Sequence, residues 1–335
     1  MLFVMTEVVT TTTGLFPLPD WAKDELSELK GHQKADLIGG SEGSEIQNVY
    51  ERGRSEVIDR QQEAGLDRIV EGQLRWDDMI AHPLAVHDNV DTRGIVRYYD
   101  NNNFYREPVV TGDLTADGDV AAELDAASEQ VDGGLQAVLP GPYSLADLAT
   151  NEHYGNDGEF LDAVTEFLAD EISQFPDVET LFLLEPSLVE NAPGEGADER
   201  ASEAIDAVAS AADAEVIAHT YWGALDEKVY AHLMDADVDA IGFDFVADHE
   251  ANLYNINEYG TKSDIALGLV DGQNTLVEDP ETIEERIEWV AEQTPSADFE
   301  TVYATINTET FYLPVNKFEA KLDALAAVNK MEVEA

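Results

Sequence analysis

The sequence contains no cysteine. Disulfides, thiolate nucleophiles and every cysteine-ligated zinc or iron–sulfur site are excluded by that alone. Basic residues are scarce: 18 Lys and Arg stand against 71 Asp and Glu, a formal net charge of −53 over 335 residues. Nucleic-acid binding draws on clustered Lys and Arg that release counterions, and no basic stripe exists here, so that function class is excluded. No run of eighteen apolar residues occurs, which leaves no candidate membrane span. The apolar opening Met1-Leu2-Phe3-Val4-Met5 lacks a basic flank and runs directly into Thr6-Glu7, so no signal peptide is read there and a cytoplasmic location is expected. No G-x-S-x-G elbow, P-loop or G-x-G-x-x-G follows a predicted strand, which removes support for serine hydrolases, NTPases and dinucleotide binders.

What is present is a foldable chain under a coat of acid. Hydrophobic residues make up 44% of it, too many for a disordered polyanion. The acids run from Glu7 to Glu334 rather than gathering in a tail. Such self-repulsion opposes compaction in dilute buffer, but concentrated salt screens it, with a Debye length of about 3 Å at 1 M. The pattern is that of a protein working in a salt-rich cytosol. No acid-rich loop has calcium-ligand spacing.

Short β-branched or apolar runs alternate with longer amphipathic ones, the rhythm of repeated βα units. Strands are expected at Val8–Thr12, Arg68–Val70, Gln136–Leu139, Thr180–Leu184, Glu215–His219, Ala240–Phe245, Ile265–Leu269 and Val302–Ile306. Eight such runs over this length predict an α/β fold, a closed (β/α)8 TIM barrel forming one domain over residues 1–335. Helices are expected at Ser44–Ala64, Phe160–Gln174, Asp198–Ala212, Glu227–Ala236, Ile283–Gln293 and Lys317–Lys330, with Thr282 and Glu285 reading as a capping box. Residues 88–119, rich in Asp, Asn, Gly and Arg, do not read as a βα unit. They are expected to form an excursion whose Tyr98–Val110 segment reaches over a barrel end.

Function in such a barrel concentrates where strands end. The strand ends carry Glu71 and Gln73, then Glu185, then His219 and Tyr221, then Asp244; Gly268 to Asn274 and Asn307-Thr-Glu309 follow the last two strands. Each has an ordinary reading beside the functional one. Glu185 precedes Pro186 and can simply cap the following turn. His219 on an apolar strand can be a hydrogen-bonded core residue, and no H-x-x-x-H or H-x-C partner makes it a metal ligand. Asp244 can bind a neighbouring strand's loop. The acidic helix faces read as solvated surface.

Several segments nevertheless resemble, in order, those of one family. Tyr98-Tyr-Asp-Asn-Asn-Asn-Phe-Tyr-Arg-Glu-Pro108 resembles the aromatic and Asn-rich segment of cobalamin-independent methionine synthase. Leu139-Pro-Gly-Pro142 is similar to that family's "L-G-P-V-T" turn, Leu184-Glu-Pro-Ser-Leu188 to its "D-E-P-A-L" turn and His219-Thr-Tyr-Trp-Gly223 to its "T-T-Y-F" strand end. Leu267 to Asn274 resembles its "G-x-x-N/D-G-R-N" loop. The resemblance implies a barrel of the methionine synthase/uroporphyrinogen decarboxylase type and closest likeness to the family's N-terminal, zinc-free barrel. The zinc barrel's ligand positions correspond here to His219, Tyr221, Asp244 and Thr310, and its homocysteine-binding carboxylates to Gln73 and Leu184.

On that resemblance the chain is expected to act in methionine biosynthesis, as the zinc-free half of a split methyltransferase that moves a methyl group from a methylated pterin, or methylcobalamin, to homocysteine. No metal or cofactor is expected on this chain; zinc belongs to a separately encoded homologue that would be its partner. Asp100, Asn102, Tyr105 and Asn274 are the expected contacts to the methyl carrier, joined by Asp271, Tyr221, Gln73 and Lys23, the remnant of a basic opening. Glu185, His219 and Asp244 are the candidates for catalysis. Two other readings stay open: a stand-alone, zinc-independent methyltransferase with Asp244 or Glu185 as general base beside His219, and a barrel kept for assembly alone.

Overall fold

A computed structural model describes residues 6–27, 43–97, 99 and 103–328. In chain order its strands are β1 (Glu7–Thr10), β2 (Ile69–Val70), β3 (Val90–Arg97), β4 (Phe104–Val110), β5 (Leu135–Pro140), β6 (Thr150–Asn151), β7 (Thr180–Leu184), β8 (Glu215–His219), β9 (Ala240–Asp244), β10 (Asp264–Val270) and β11 (Thr301–Ile306). The helices are α1 (Asp20–Ser27), α2 (Ser44–Ala64), α3 (His82–Ala85), α4 (Asp119–Ser128), α5 (Pro142–Leu148), α6 (Asp157–Ile172), α7 (Ser187–Glu190), α8 (Ala197–Ala209), α9 (Glu227–Leu233), α10 (His249–Tyr259), α11 (Pro280–Gln293) and α12 (Val315–Ala326).

Every residue of β7 and β9 is buried, as expected of strands covered on both faces. Eight strands pair in parallel in the order β1-β11-β10-β9-β8-β7-β5-β2. The two ends of that order meet at Thr10. Its carbonyl accepts from the amides of Asp67 and Arg68, each at 3.1 Å, and its amide donates to Asp67 Oδ2 at 2.9 Å. The curled sheet thereby closes on itself, as the eight predicted runs required. Helices pack around it, and their apolar stripes join the strands in one hydrophobic core.

β3 and β4 form an antiparallel hairpin outside the barrel, with a bulge between Thr92 and Ile95, and β6 adds in parallel to β4. Tyr99 at its tip packs edge-on against Trp222, with ring centroids 5.3 Å apart, and its hydroxyl lies 2.7 Å from Ser187 Oγ.

Two helix expectations need correction. The capping box at Thr282 does not form: α11 starts at Pro280 after Asp279, because proline has its φ preset for the first turn and loses no needed N–H there. The apolar-stripe pattern also predicts no helix at α1, α4, α5 or α10. In α10 the buried face is largely polar, Asn252 and Asn255 beside Ile256, so no stripe exists to find.

Candidate functional site

The C-terminal ends of the strands converge on one mouth, and Asn307, just past β11, is its hub. The Asn307 carbonyl accepts a hydrogen bond from His219 Nε2 at 2.8 Å, which fixes the Nε2–H tautomer. Its Nδ2 donates to both Asp244 oxygens at 3.0 and 3.1 Å, and its Oδ1 accepts from the Gly272 amide at 2.9 Å. His219 is fully buried with Nδ1 unpartnered, lying over Gly242, its register neighbour on β9, where a Cβ would strike the ring. Burial lowers the His219 pKa to about 4, so the ring is neutral at ordinary pH.

Asp244 is saturated. Besides Asn307 it accepts from the amides of Trp222, Val246 and Ala247 at 2.8–2.9 Å. Burial raises its pKa while these donors oppose the rise. One of them serves a strained residue: Trp222 sits at φ 71, in the left-handed region that a bulky side chain avoids. Asp244 therefore ties the loops after β8, β9 and β11 together.

Glu185 is also a fastener. Its carboxylate accepts from the amides of Tyr143 and Ser144 at 3.0 and 2.8 Å and from Ser144 Oγ at 2.6 Å. It caps α5, the helix of the preceding βα unit, rather than its own turn. Burial moves its pKa up to about 7 against those three donors. Gln73, at φ 52, spends its side chain in the same way: Oε1 accepts from the Leu15 amide at 2.8 Å and Nε2 donates to the Val138 carbonyl at 3.1 Å. Tyr221 is wholly buried and directs its hydroxyl to Met79 Sδ at 2.6 Å.

Glu309 differs from these. It is buried, and its carboxyl is held by the side chains of Thr308 and Gln273, the latter at 3.0 Å, and by its own backbone amide. Burial lifts its pKa to about 7. Tyr221 and Tyr312 both feel its charge.

The remaining candidates lie apart from this centre. Tyr105 donates to the Leu148 carbonyl at 2.9 Å. Asp271 and Asn274 accept from the amides of Gln273 and Leu276 at 2.9 Å and shape the loop after β10. Lys23 is exposed on α1, 3.4 Å from Asp20. Asp100 and Asn102 lie outside the described residues. Glu71, expected at the mouth, sits instead in a buried ionic cluster with Arg54 of α2, at 4.0 Å, and near Glu123 of α4.

The four positions corresponding to the family's zinc ligands do not fit zinc. His219 Nε2 is spent on a carbonyl, Tyr221 on a thioether, and Asp244 on four donors, while Thr310 Oγ1 faces the Leu15 carbonyl at 3.4 Å. Among the described residues no group of three or more His, Cys, Asp or Glu is placed to hold a metal ion. Nor is any described helix long and apolar enough to cross a membrane.

Comparison with known proteins bears on the whole arrangement. The family model described as "Cobalamin-independent synthase, N-terminal domain" matches residues 87–295, more than half of the chain. The chain belongs to that family. Among curated relatives, the methionine synthase of Saccharolobus islandicus is 23% identical over 288 residues, covering 84% of this chain and 83% of its own length. That of Saccharolobus solfataricus is 22% identical over 291 residues, 85% of this chain and 84% of its own. Two solved structures share the fold at 17% identity. One is a B12-independent methionine synthase from a Shewanella species in complex with selenomethionine, with TM-score 0.74 over 98% of this chain and 97% of that one. The other, from Listeria monocytogenes, is described as a putative vitamin-B12-independent methionine synthase, with TM-score 0.72 over 96% and 98%.

Within this cobalamin-independent synthase barrel, Asn307 and Glu309 are marked in the sequence only as residues following a strand. Their weight comes from partners more than sixty and thirty positions away, Asp244 and Gln273. The one local signal is position: both follow the last strand, opposite its start at the mouth.

Proposed function

We propose that this chain serves methionine biosynthesis in a salt-rich cytosol, as the barrel of a methyl-transfer system that holds the methyl carrier and leaves thiol activation to a separately encoded, zinc-bearing homologue. The observation that carries this reading is the mouth itself: in a member of the N-terminal-domain family, the positions of the zinc ligands are occupied by groups already committed to other partners in the fold. Such a mouth is preorganised by its own hydrogen bonds. Its roles are binding and orientation, with Asp271 and Asn274 shaping the loop after β10 that meets a methylated pterin or methylcobalamin. His219, neutral and fixed in one tautomer, and the saturated Asp244 and Glu185 supply a rigid floor rather than a base.

A second reading has its own support. The curated relatives named methionine synthase match this chain over 83–84% of their own length, so single-barrel proteins carry that name. On that reading the chain transfers the methyl group alone. The test is methyl transfer from methyltetrahydropterin or methylcobalamin to homocysteine in molar salt, with the protein alone and then mixed with its zinc-bearing homologue. Turnover only in the mixture supports the split system, and turnover by this chain alone supports the second reading. Absence of turnover in both leaves an assembly role and sinks the proposal.

A further inference from the structure

Lys321 is fully buried in a chain poor in lysine, and its partner Glu278 is 9% exposed, with Nζ and Oε2 2.7 Å apart. A buried ion pair is a poor source of stability, since desolvation consumes most of the Coulombic gain and an apolar pair of similar volume holds a helix as well. What an apolar pair cannot do is hold polar backbone in one arrangement. Lys321 Nζ donates to the Leu276 carbonyl at 2.5 Å, while Glu278 Oε1 accepts from the Asp271 amide at 2.9 Å. Both ends of the loop 271–278 are thus tied to one point on α12. Inside the loop, Asp271 Oδ1 takes the Gln273 amide and Asn274 Oδ1 takes the Leu276 amide, each at 2.9 Å. From the loop, two bonds enter the mouth: Gln273 Nε2 to Glu309 Oε1 at 3.0 Å and the Gly272 amide to Asn307 Oδ1 at 2.9 Å. Gly272 lies so close to the Thr308 and Glu309 carbonyls that a Cβ would collide with both.

We infer that Lys321, on the outer helix layer, is a positioning residue for the mouth: through Glu278 it sets the loop 271–278, which in turn holds Glu309 and Asn307 in place for the methyl carrier. This rests on the reading of the mouth as the carrier-binding end. Lys321 touches no ligand itself.

Three variants separate position from stability: Lys321→Met, the double change Lys321→Met with Glu278→Leu, and Lys321→Arg. Each is followed in molar salt by denaturation, by amide exchange across residues 271–278, and by KM and kcat in whichever mixture the wild type is active. Lys321→Met leaves Glu278 buried and unpaired and is expected to lose stability, and the double variant to recover most of it. Both are expected to exchange the loop amides at least about tenfold faster and to raise KM for the carrier about tenfold with kcat within about twofold, while Lys321→Arg stays near wild type. A double variant that is stable and keeps wild-type loop protection overturns the inference. So does a freed loop with unchanged KM. The exchange readout uses no methyl transfer, so an inactive wild type would sink the functional reading while loop protection still decided this one.

Discussion

At the scale of single residues the mouth is built from polar side chains that satisfy one another. Asp244 and Asn307 show what that means energetically. A buried carboxylate is tolerable only when donors replace the water it gave up, and Asp244 has donors from three loops. Truncating Asn307 to Ala removes two of its bonds and leaves the Gly272 amide without an acceptor. The expected cost is about 2–4 kcal/mol, read from denaturant unfolding in molar salt; a loss below about 0.5 kcal/mol would mean that water replaces the amide and the hub is not a hub. His219 adds a pH term. It is neutral when folded, with a pKa of about 4 against 6.5 in the open chain, so stability falls as pH drops through that window because the unfolded state takes up the proton.

At the scale of elements, loops and short helices are fastened from neighbouring βα units. Glu185 at the end of β7 caps α5, which Pro142 starts and which has no capping side chain of its own at Gly141. Gly141 is required there, since a Cβ would overlap the Glu185 carboxyl. Glu185→Gln presents an amide nitrogen to groups that are themselves donors. It is expected to cost about 1–3 kcal/mol and to speed exchange of the Tyr143 and Ser144 amides selectively. Uniform acceleration over the whole barrel would place the role of Glu185 in global packing instead. The Glu185-Pro186 pair looked like a cap for its own turn because that reading sees only neighbours in the chain, whereas the residues capped lie 41 and 42 positions earlier.

For the whole molecule, charge is the governing quantity. With a net charge of −53, transfer from molar salt to about 0.1 M lengthens the Debye length from about 3 to about 10 Å and restores carboxylate repulsion. Unfolding on such dialysis is expected in circular dichroism, and an unchanged spectrum would sink the salt-adapted reading. Acid burial adds a second dependence. Burial, with Glu123 nearby, moves Glu71 from 4.5 to about 8, so the folded state holds a proton that the unfolded state has lost. The stabilising contribution is complete below about 4.5 and declines as pH rises to about 8. Glu185 and Glu309, at about 7, act in the same direction. Glu71→Gln is expected to flatten the alkaline limb of the stability profile, and an unaltered limb would show that Glu71 is ionised in the fold.

The sequence by itself determined the strands of the barrel, because each is a short β-branched or apolar run, largely buried, that needs no distant partner to be recognised. Thr180–Leu184 and Glu215–His219 were legible to the residue. It also determined the acid coat and the exclusion of thiolate chemistry, which are counts. Only the tertiary structure decided what the polar residues at the strand ends do. Glu71 turned toward Arg54, Gln73 and Glu185 became fasteners, and Asn307 and Lys321 gained their importance from residues brought close by closure of the barrel. The physical reason is that a hydrophobic run carries its burial in its own composition, whereas a polar side chain has no role until the fold chooses its hydrogen-bond partner.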